Sequence, residues 1–360
     1  MSRLQSTCSC RGSALIVVIW VVGLLAMFIT SMAFDAQVES RLTSYYRKRA
    51  KAGYLAQSGM EMARMLLDKQ AKVTGDPKEK GEEGDRWFEY AKRLKRGAIR
   101  GLVEPLGEGT ITLDIVPEPA RRNINNLDLA NNRNEDEVAE NLERILEVGG
   151  ITEDLGLWPE LIDSFMDWID ADDEPRANGA ETRDYYETLP EPYRAANRSF
   201  GTVEELLLVK GFNRAILFGG VLEKTMNDKE GPVRVEGIAD LLTTYGDDGR
   251  VNVNSASARV MMTLPDVDDV VAGAVIQERE GWVDGEGKRQ SELFENEQDA
   301  LKRIPNLNVP RTSRYLTTAE ATICRITSVG EVGGVRRTVQ CIAEYAGGGK
   351  ITIKRWWEEE

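Results

Sequence analysis

Between residues 163 and 191 the chain reads DSFMDWIDADDEPRANGAETRDYYETLPE, ten carboxylates against Arg176 and Arg183. Asp163, Asp167 and Asp170 are spaced by four and then three, which puts them on one face of a helix. The acidic run continues into a loop broken by Pro175 and Gly179. Carboxylates this dense repel one another unless a cation neutralises them. A hard cation that takes six to eight oxygens at roughly 2.3–2.6 Å suits such a mixed helix-end and loop site. With no nitrogen or thiolate donor in the segment, calcium fits best. The candidate ligands are Asp170, Asp172, Glu181 and Asp184, with Asp167 and Asp173 behind them. The spacing is not that of an EF-hand loop. The competing reading is a solvated acidic loop with no ion.

Composition narrows the chemistry further. The 360 residues contain no histidine, which removes Ser-His-Asp and Cys-His catalysis and most catalytic zinc sites. A carboxylate hydrolase at 167–184 would need two acids in visibly different environments, and no such pair stands out. The expectation is a protein that is not an enzyme. A formal net charge of −14 argues against nucleic acid as a partner.

The elements that must carry this site begin with a membrane segment. Ser13–Phe34 is an unbroken apolar run entered through Arg11-Gly12, and its leader bears Arg3 and Arg11 with no acid. Twenty-two residues make a helix of ~33 Å, enough for a bilayer core of ~30 Å. Positive flanks stay in the cytoplasm, so the rest of the chain is expected on the far side. A cleaved secretory signal would need a shorter apolar stretch, and Ser31-Met32-Ala33 is a weak exit for one. Helical spacing then continues without proline through Val38, Leu42, Tyr45, Tyr46, Leu55, Met62, Met65 and Leu66, so one helix is expected from Ser13 to Leu67. Gly53 and Gly59 could bend it.

Residues 69–108 read as a charged loop plus a short helix. GTITLDIV (109–116) alternates as a strand, and strand patterns return at 319–329, 335–345 and 351–357. One strand before and three after a helical block imply an α+β fold: the N-terminal helix packed on a small antiparallel sheet, with a large, mostly α-helical domain inserted into it. Folding the last hairpin symmetrically about Glu331–Gly334 puts Cys324 opposite Cys341, within bridging range, which predicts a disulfide in an oxidising compartment. The alternative is two reduced thiols.

The inserted block repeats itself faintly. RNINNL (122–127) resembles RVNVNS (250–255), and the second copy continues as a helix-hairpin-helix, or SAM-like, unit around Pro265-Asp266-Val267-Asp268-Asp269. Three carboxylates where a phosphate would dock repel it. Val209-Lys210-Gly211-Phe212 is read as the hairpin of the first copy. Both are packing motifs on this reading.

Four phrases together carry a family resemblance: DWIDADDEPRANGAE…DYY, PYRAANRSFGTVEELLLVKGF, GRVNVNSASARVMMTLP and the terminal RWWEE. The chain resembles the K-type minor pseudopilins of bacterial type II secretion systems from Gly12 to the last strand. The resemblance implies a prepilin leader (1–12), a transmembrane part of the helix (13–34), a pseudopilin domain in two parts (35–124 and 315–360) and an inserted α-domain (125–314). It also implies cleavage between Gly12 and Ser13 by a prepilin peptidase, and calcium held by the acidic region. The expected setting is the inner membrane, with the body in the periplasm at the tip of the pseudopilus. The I- and J-type minor pseudopilins are the implied neighbours, followed by other pseudopilins, with secreted cargo or the outer-membrane secretin as further contacts. Most pilin-like proteins carry Glu at the fifth mature position, where this chain has Val17; the K-type family is similar in lacking that Glu. Without that carboxylate the usual pairing with a neighbour's ammonium is lost, which favours a terminal place over a repeating one. Two other readings remain: an uncleaved, signal-anchored calcium-binding adhesion module, and a membrane-anchored DNA-uptake protein.

Overall fold

The computed structural model describes residues 13–74, 80–81, 85–129, 134–223, 231–246, 248–283, 289–290, 292–345 and 351–359. Gly12 lies outside the described residues, and Ser13 is the first helical residue. Helix α1 (Ser13–Gln70) runs through both glycines as one element of 58 residues, ~87 Å long. Its apolar side chains stay exposed from Leu15 to Tyr46. Beyond that, Ala52, Ala56, Met60, Ala63, Leu66 and Leu67 recur at helical spacing and are buried. The first stretch is therefore long and apolar enough to cross a membrane once, and the second is a packing face.

That face lies on a five-stranded antiparallel sheet in which spatial order follows chain order. The strands are β1 (Ile99–Leu106), β2 (Gly109–Pro117), β3 (Ile323–Val332), β4 (Val335–Tyr345) and β5 (Ile351–Glu359). Alternation sends Leu113, Ile115, Ile326, Val339, Cys341 and Ala343 toward α1 to form one apolar core. Small residues let the helix come close. A Cβ on Gly59 would collide with Ser328, and one on Gly330 would collide with the Ala52 carbonyl.

Two expectations need correction here. The segment 69–108 holds a helix, α2 (Phe88–Leu94), but also the edge strand β1. Gly101, at φ 62°, produces an irregular register between Ile99 and Leu102. Pro105 lacks a donor, which an edge strand tolerates. Together with Glu104 these residues hide the strand pattern. The cysteines are the second correction. The turn is the two-residue Gly333-Gly334, with φ of 52° and 82°, so Val332 pairs with Val335. The register is therefore two residues away from the symmetric fold about Glu331–Gly334. Cys324 faces Ala343, and Cys341 faces Ile326. Both are buried free thiols. Burial pushes Cys324 up to about 12 and Cys341 up to about 11, so neither is a thiolate at neutral pH.

The other face of the sheet meets the inserted domain through polar contacts. Arg325 Nε donates to the fully buried Glu118 at 2.9 Å, and Thr243 donates to the same carboxylate. Arg355 pairs with Glu204 at 3.1 Å, and Arg100 donates to the Ser255 carbonyl at 2.5 Å. A separate apolar core then runs from Ile124 to Leu316.

Inside that domain the faint repeat is a structural duplication. In the first copy Arg122–Asn123 pairs in parallel with Leu242–Thr243; in the second, Val251–Asn252 pairs with Leu316–Thr317. Asn125 exchanges two hydrogen bonds with the Phe200 backbone, and Asn254 does the same with Phe294. Gly201 N donates to Glu205, as Glu295 N donates to Asp299. Between these anchors the first copy places α3 (Glu135–Val148) and α4 (Trp158–Ile169). The second places the short helix Ala258–Met262 and α5 (Asp269–Glu280). The hairpin of the first copy is therefore the Gly149-Gly150 turn, not 209–212. In the second copy Asp268 caps α5 by accepting from Val271 N at 2.8 Å, so that acid has a packing task. Asn254→Ala strips two backbone groups of Phe294 of their partners and is expected to cost about 2 kcal/mol. Urea unfolding of the full chain checks this, and an unchanged midpoint would remove the asparagine as an anchor.

Candidate metal centre

Helix α4 begins with Pro159 in its first turn and buries Leu161, Ile162, Phe165, Met166 and Trp168. The opposite face carries the acids, and each has a different task. Asp163 accepts from the backbone and side-chain nitrogens of Asn178, both at 2.9 Å. Asp167 is fully buried and accepts from Arg176 Nη1 at 2.6 Å, Arg176 N at 3.1 Å and Ala180 N at 2.8 Å. The helix therefore folds the loop 176–180 back onto itself. Gly179 is required at this point, because a Cβ there would overlap the Asp167 carboxylate. Lys210 closes the loop from the other side, donating to the Asn178 and Gly179 carbonyls at 3.0 and 2.9 Å.

Arg176 ties the acids together. It reaches Asp167 and Asp170 Oδ2, each at 2.6 Å, and Glu135 of α3 at 2.9 Å. Beyond Arg176, the ligand atoms of Asp170, Asp172 and Glu181 all lie within 4.8 Å of one another. Glu181 is 1% exposed, and neither of its carboxylate oxygens receives a hydrogen bond of good geometry, although the Thr182 N–H lies near enough to favour the ionised form. Asp170 Oδ1 is likewise buried without a donor. Burial pushes the Glu181 carboxyl up to about 7, helped by the charges of Asp167 and Asp170. Burial also raises Asp170, against the pull of Arg176. A carboxylate oxygen withdrawn from water without a well-placed donor is costly. A bound cation removes that cost, so these three residues fit a hard divalent ion.

The other three sequence candidates fall outside this trio. Asp184 Oδ1 accepts from Glu181 N at 2.8 Å and so fixes the backbone of a ligand candidate. Asp173 Oδ1 takes a hydrogen bond from Asn197 at 3.4 Å. Asp167 is already neutralised by Arg176 and two backbone donors. Sequence reading missed the part played by Arg176, Lys210 and Asn197. Arg176 carried a signal, since it is one of two cations in the acidic run. Lys210 and Asn197 lie well downstream and come close only through the fold.

Residues 120–218, which include this centre, match the family model described as "Type II secretion system (T2SS), protein K". A Type II secretion system protein K of Pseudomonas aeruginosa is 24% identical over 350 residues, covering 95% of this chain and 91% of the relative. The chain is similar to the K-type minor pseudopilins of type II secretion along most of its length. A Type II secretion system protein K of Pectobacterium carotovorum subsp. carotovorum is 53% identical over 47 residues, 13% of this chain and 14% of the relative. Among solved structures, the chain resembles one from the GspK-GspI-GspJ complex of the enterotoxigenic Escherichia coli type 2 secretion system. The TM-score is 0.57 at 14% identity, covering 89% of this chain and 99% of that one. The α+β architecture, a long helix on an antiparallel sheet with a helical domain set into it, matches the fold of that solved chain.

Proposed function

We propose that this chain is a K-type minor pseudopilin and a tip subunit of the periplasmic pseudopilus, which starts or caps assembly for the export of folded proteins. The observation that carries the reading is the division of α1. It leaves the body as an exposed apolar rod from Leu15 to Tyr46, then packs on the sheet. Such a rod serves first as a single-pass anchor in the inner membrane, with the N-terminus cytoplasmic, and then as a strut in a bundle of like helices. A prepilin peptidase cutting between Gly12 and Ser13 frees it for that second use. Val17 offers no carboxylate to a neighbour's ammonium, which suits a terminal place. The inserted domain adds bulk that would obstruct a further subunit above it. The I- and J-type pseudopilins are the expected neighbours, by analogy with the solved complex of the relative. Calcium at Asp170, Asp172 and Glu181 would tie the end of α4 to the loop that follows, supplying charge neutralisation and a structural cross-link.

The intact mass and N-terminal sequence of the chain extracted from membranes test this. A start at Ser13 that copurifies with I- and J-type partners is the expected result. A start at Met1 or at Phe34 would overturn it, because the fibre helix would then be unprocessed or lost.

A further inference from the structure

We infer that a small tetrahedral oxyanion, of the class of inorganic phosphate or sulfate, binds between the sheet and the inserted domain, with Arg121 as its deepest donor. The sheet builds one wall. Strand alternation puts Arg325 and Thr327 of β3 on the same face, and the antiparallel register sets Asp114 of β2 opposite Thr327. Arg100 of β1 reaches across to the Ser255 carbonyl at 2.5 Å. The inserted domain builds the other wall. Arg121 stands where the chain crosses from β2 into that domain, and Ser257 caps its short helix Ala258–Met262. Arg100, Arg121, Arg325, Ser257 and Thr327 all line one cavity of about 270 Å³. A second cleft, of about 470 Å³, shares Arg121 and Arg325 with it.

The unmet groups in this cavity are donors. Arg121 Nε and Nη1 are both withdrawn from water, and neither has an acceptor. Nη1 stays 3.7 Å from Glu118 Oε1, beyond hydrogen-bond reach, while Arg325 and Thr243 hold that carboxylate. The acids that share the cavity are engaged elsewhere: Asp114 accepts from Gly101 N, and Asp240 from Arg259 at 2.6 Å. Burial and the charge of Arg325, with Arg100 adding to it, push Arg121 down to about 10 against the pull of Glu118. It is therefore still a cation at neutral pH, crowded by two others. The adjacent Arg122 is buried too, but it lies over the Tyr315 ring at 4.9 Å. A buried guanidinium without an acceptor is costly. An oxyanion removes that cost, because it accepts from several donors at once and matches the guanidinium fork. Ser257 Oγ accepts from Val260 N, which leaves its own hydrogen to donate, and Thr327 brings a second hydroxyl. Three cations and two hydroxyls suit the four oxygens of a tetrahedral ion better than the two of a carboxylate. Bound there, the ion would join Arg325 of the sheet to Arg121 and clamp the two parts together.

Calorimetric titration of the detergent-solubilised full chain with inorganic phosphate tests this, in chelator so that phosphate meets no calcium. Saturable uptake of one phosphate per chain, displaced by sulfate and not by chloride, is the expected result. Arg121→Gln removes the buried charge and should weaken phosphate by about tenfold or more. Arg100 is more open to solvent, and Arg100→Gln should weaken phosphate by about threefold. That second variant decides the matter if Arg121→Gln does not fold. Phosphate should also raise the melting temperature of the wild type. Both ions stabilise proteins in general by exclusion from their surface, so only the excess over the variant counts. A wild type without saturable uptake would overturn the inference and leave the cavity to water. Folded variants that bind as tightly as the wild type would overturn it too, since the ion would then sit elsewhere. Displacement by acetate as readily as by sulfate would overturn the tetrahedral class.

Discussion

Gly330→Val is expected to lower the stability of the helix–sheet unit by about 3 kcal/mol or more. Gly330 lies on β3 under α1, where a Cβ would collide with the Ala52 carbonyl oxygen. It would also stand 2.7 Å from Ala56 N and 2.9 Å from Leu55 Cβ. Two of those three are backbone atoms of a helix and cannot rotate away, so the helix itself must lift. Lifting it opens the contact that Gly59 makes on the same strand, where the corresponding Cβ would lie 3.0 Å from Ser328 Cβ and 2.8 Å from Ile111 Cγ2. The loss therefore spreads along the core between Ala56 and Leu67. Gly53→Ala is the control, because a Cβ there meets nothing within 4 Å. It should be neutral, or stabilising by about 0.5–1 kcal/mol through helix propensity. Thermal unfolding of the solubilised full chain compares the two. Matching melting curves would mean that the helix does not approach β3 this closely.

That close approach shows which parts of the fold were legible in the sequence. Length and apolar periodicity are enough to place α1, since one continuous pattern serves both membrane and core. The glycines within it read ambiguously, as bends or as contacts. Only the partner strand decides between these, and at Gly59 the partner residue Ser328 lies far away in the chain. The sheet was legible where alternation is clean, as in β2, and lost where an edge strand carries Gly101, Glu104 and Pro105. The Cys324–Cys341 pairing failed for a related reason. A symmetric hairpin can turn over two residues or four, and positive φ at both Gly333 and Gly334 selects two. A shift of that size keeps both thiols on the core face while moving them out of direct opposition.

At the acidic centre, residue type located the region and tertiary contact sorted the residues. Asp163, Asp167 and Asp170 share a helix face as their spacing requires, yet only Asp170 joins the trio, because Arg176 and the 176–180 backbone claim the other two. The duplicated anchors at Asn125 and Asn254 were visible as a repeat of six residues. Their function, gripping Phe200 and Phe294, was not, since each grip spans dozens of residues. The first copy spends its post-helix loop on the acidic centre, while the second has Arg279 donating into its own core at Val253. Duplication thus supplied two similar scaffolds, and the acidic trio stands in one of them.

Glu181→Gln is expected to have opposite effects with and without calcium. In chelator, the folded Glu181 carboxyl titrates at about 7, against about 4.3 for an unperturbed one. Between those values the folded state holds a proton that the unfolded state has released, so stability falls as pH rises. The favourable contribution is complete below about pH 4.3 and gone above about pH 7, a difference of about 3–4 kcal/mol. Glutamine stays neutral throughout. In chelator at pH 8 the variant should therefore be more stable than the wild type by about that amount, and the gap should close toward pH 4. Calcium reverses the order at pH 8. It favours the ionised carboxylate, flattens the pH slope of the wild type and adds about 5 kcal/mol at roughly ten thousand times its dissociation constant, none of which the variant can gain. Melting curves at pH 4, 6 and 8, with and without the ion, measure both arms. Parallel wild-type and variant curves under all six conditions would mean that Glu181 neither titrates near neutrality nor holds a cation.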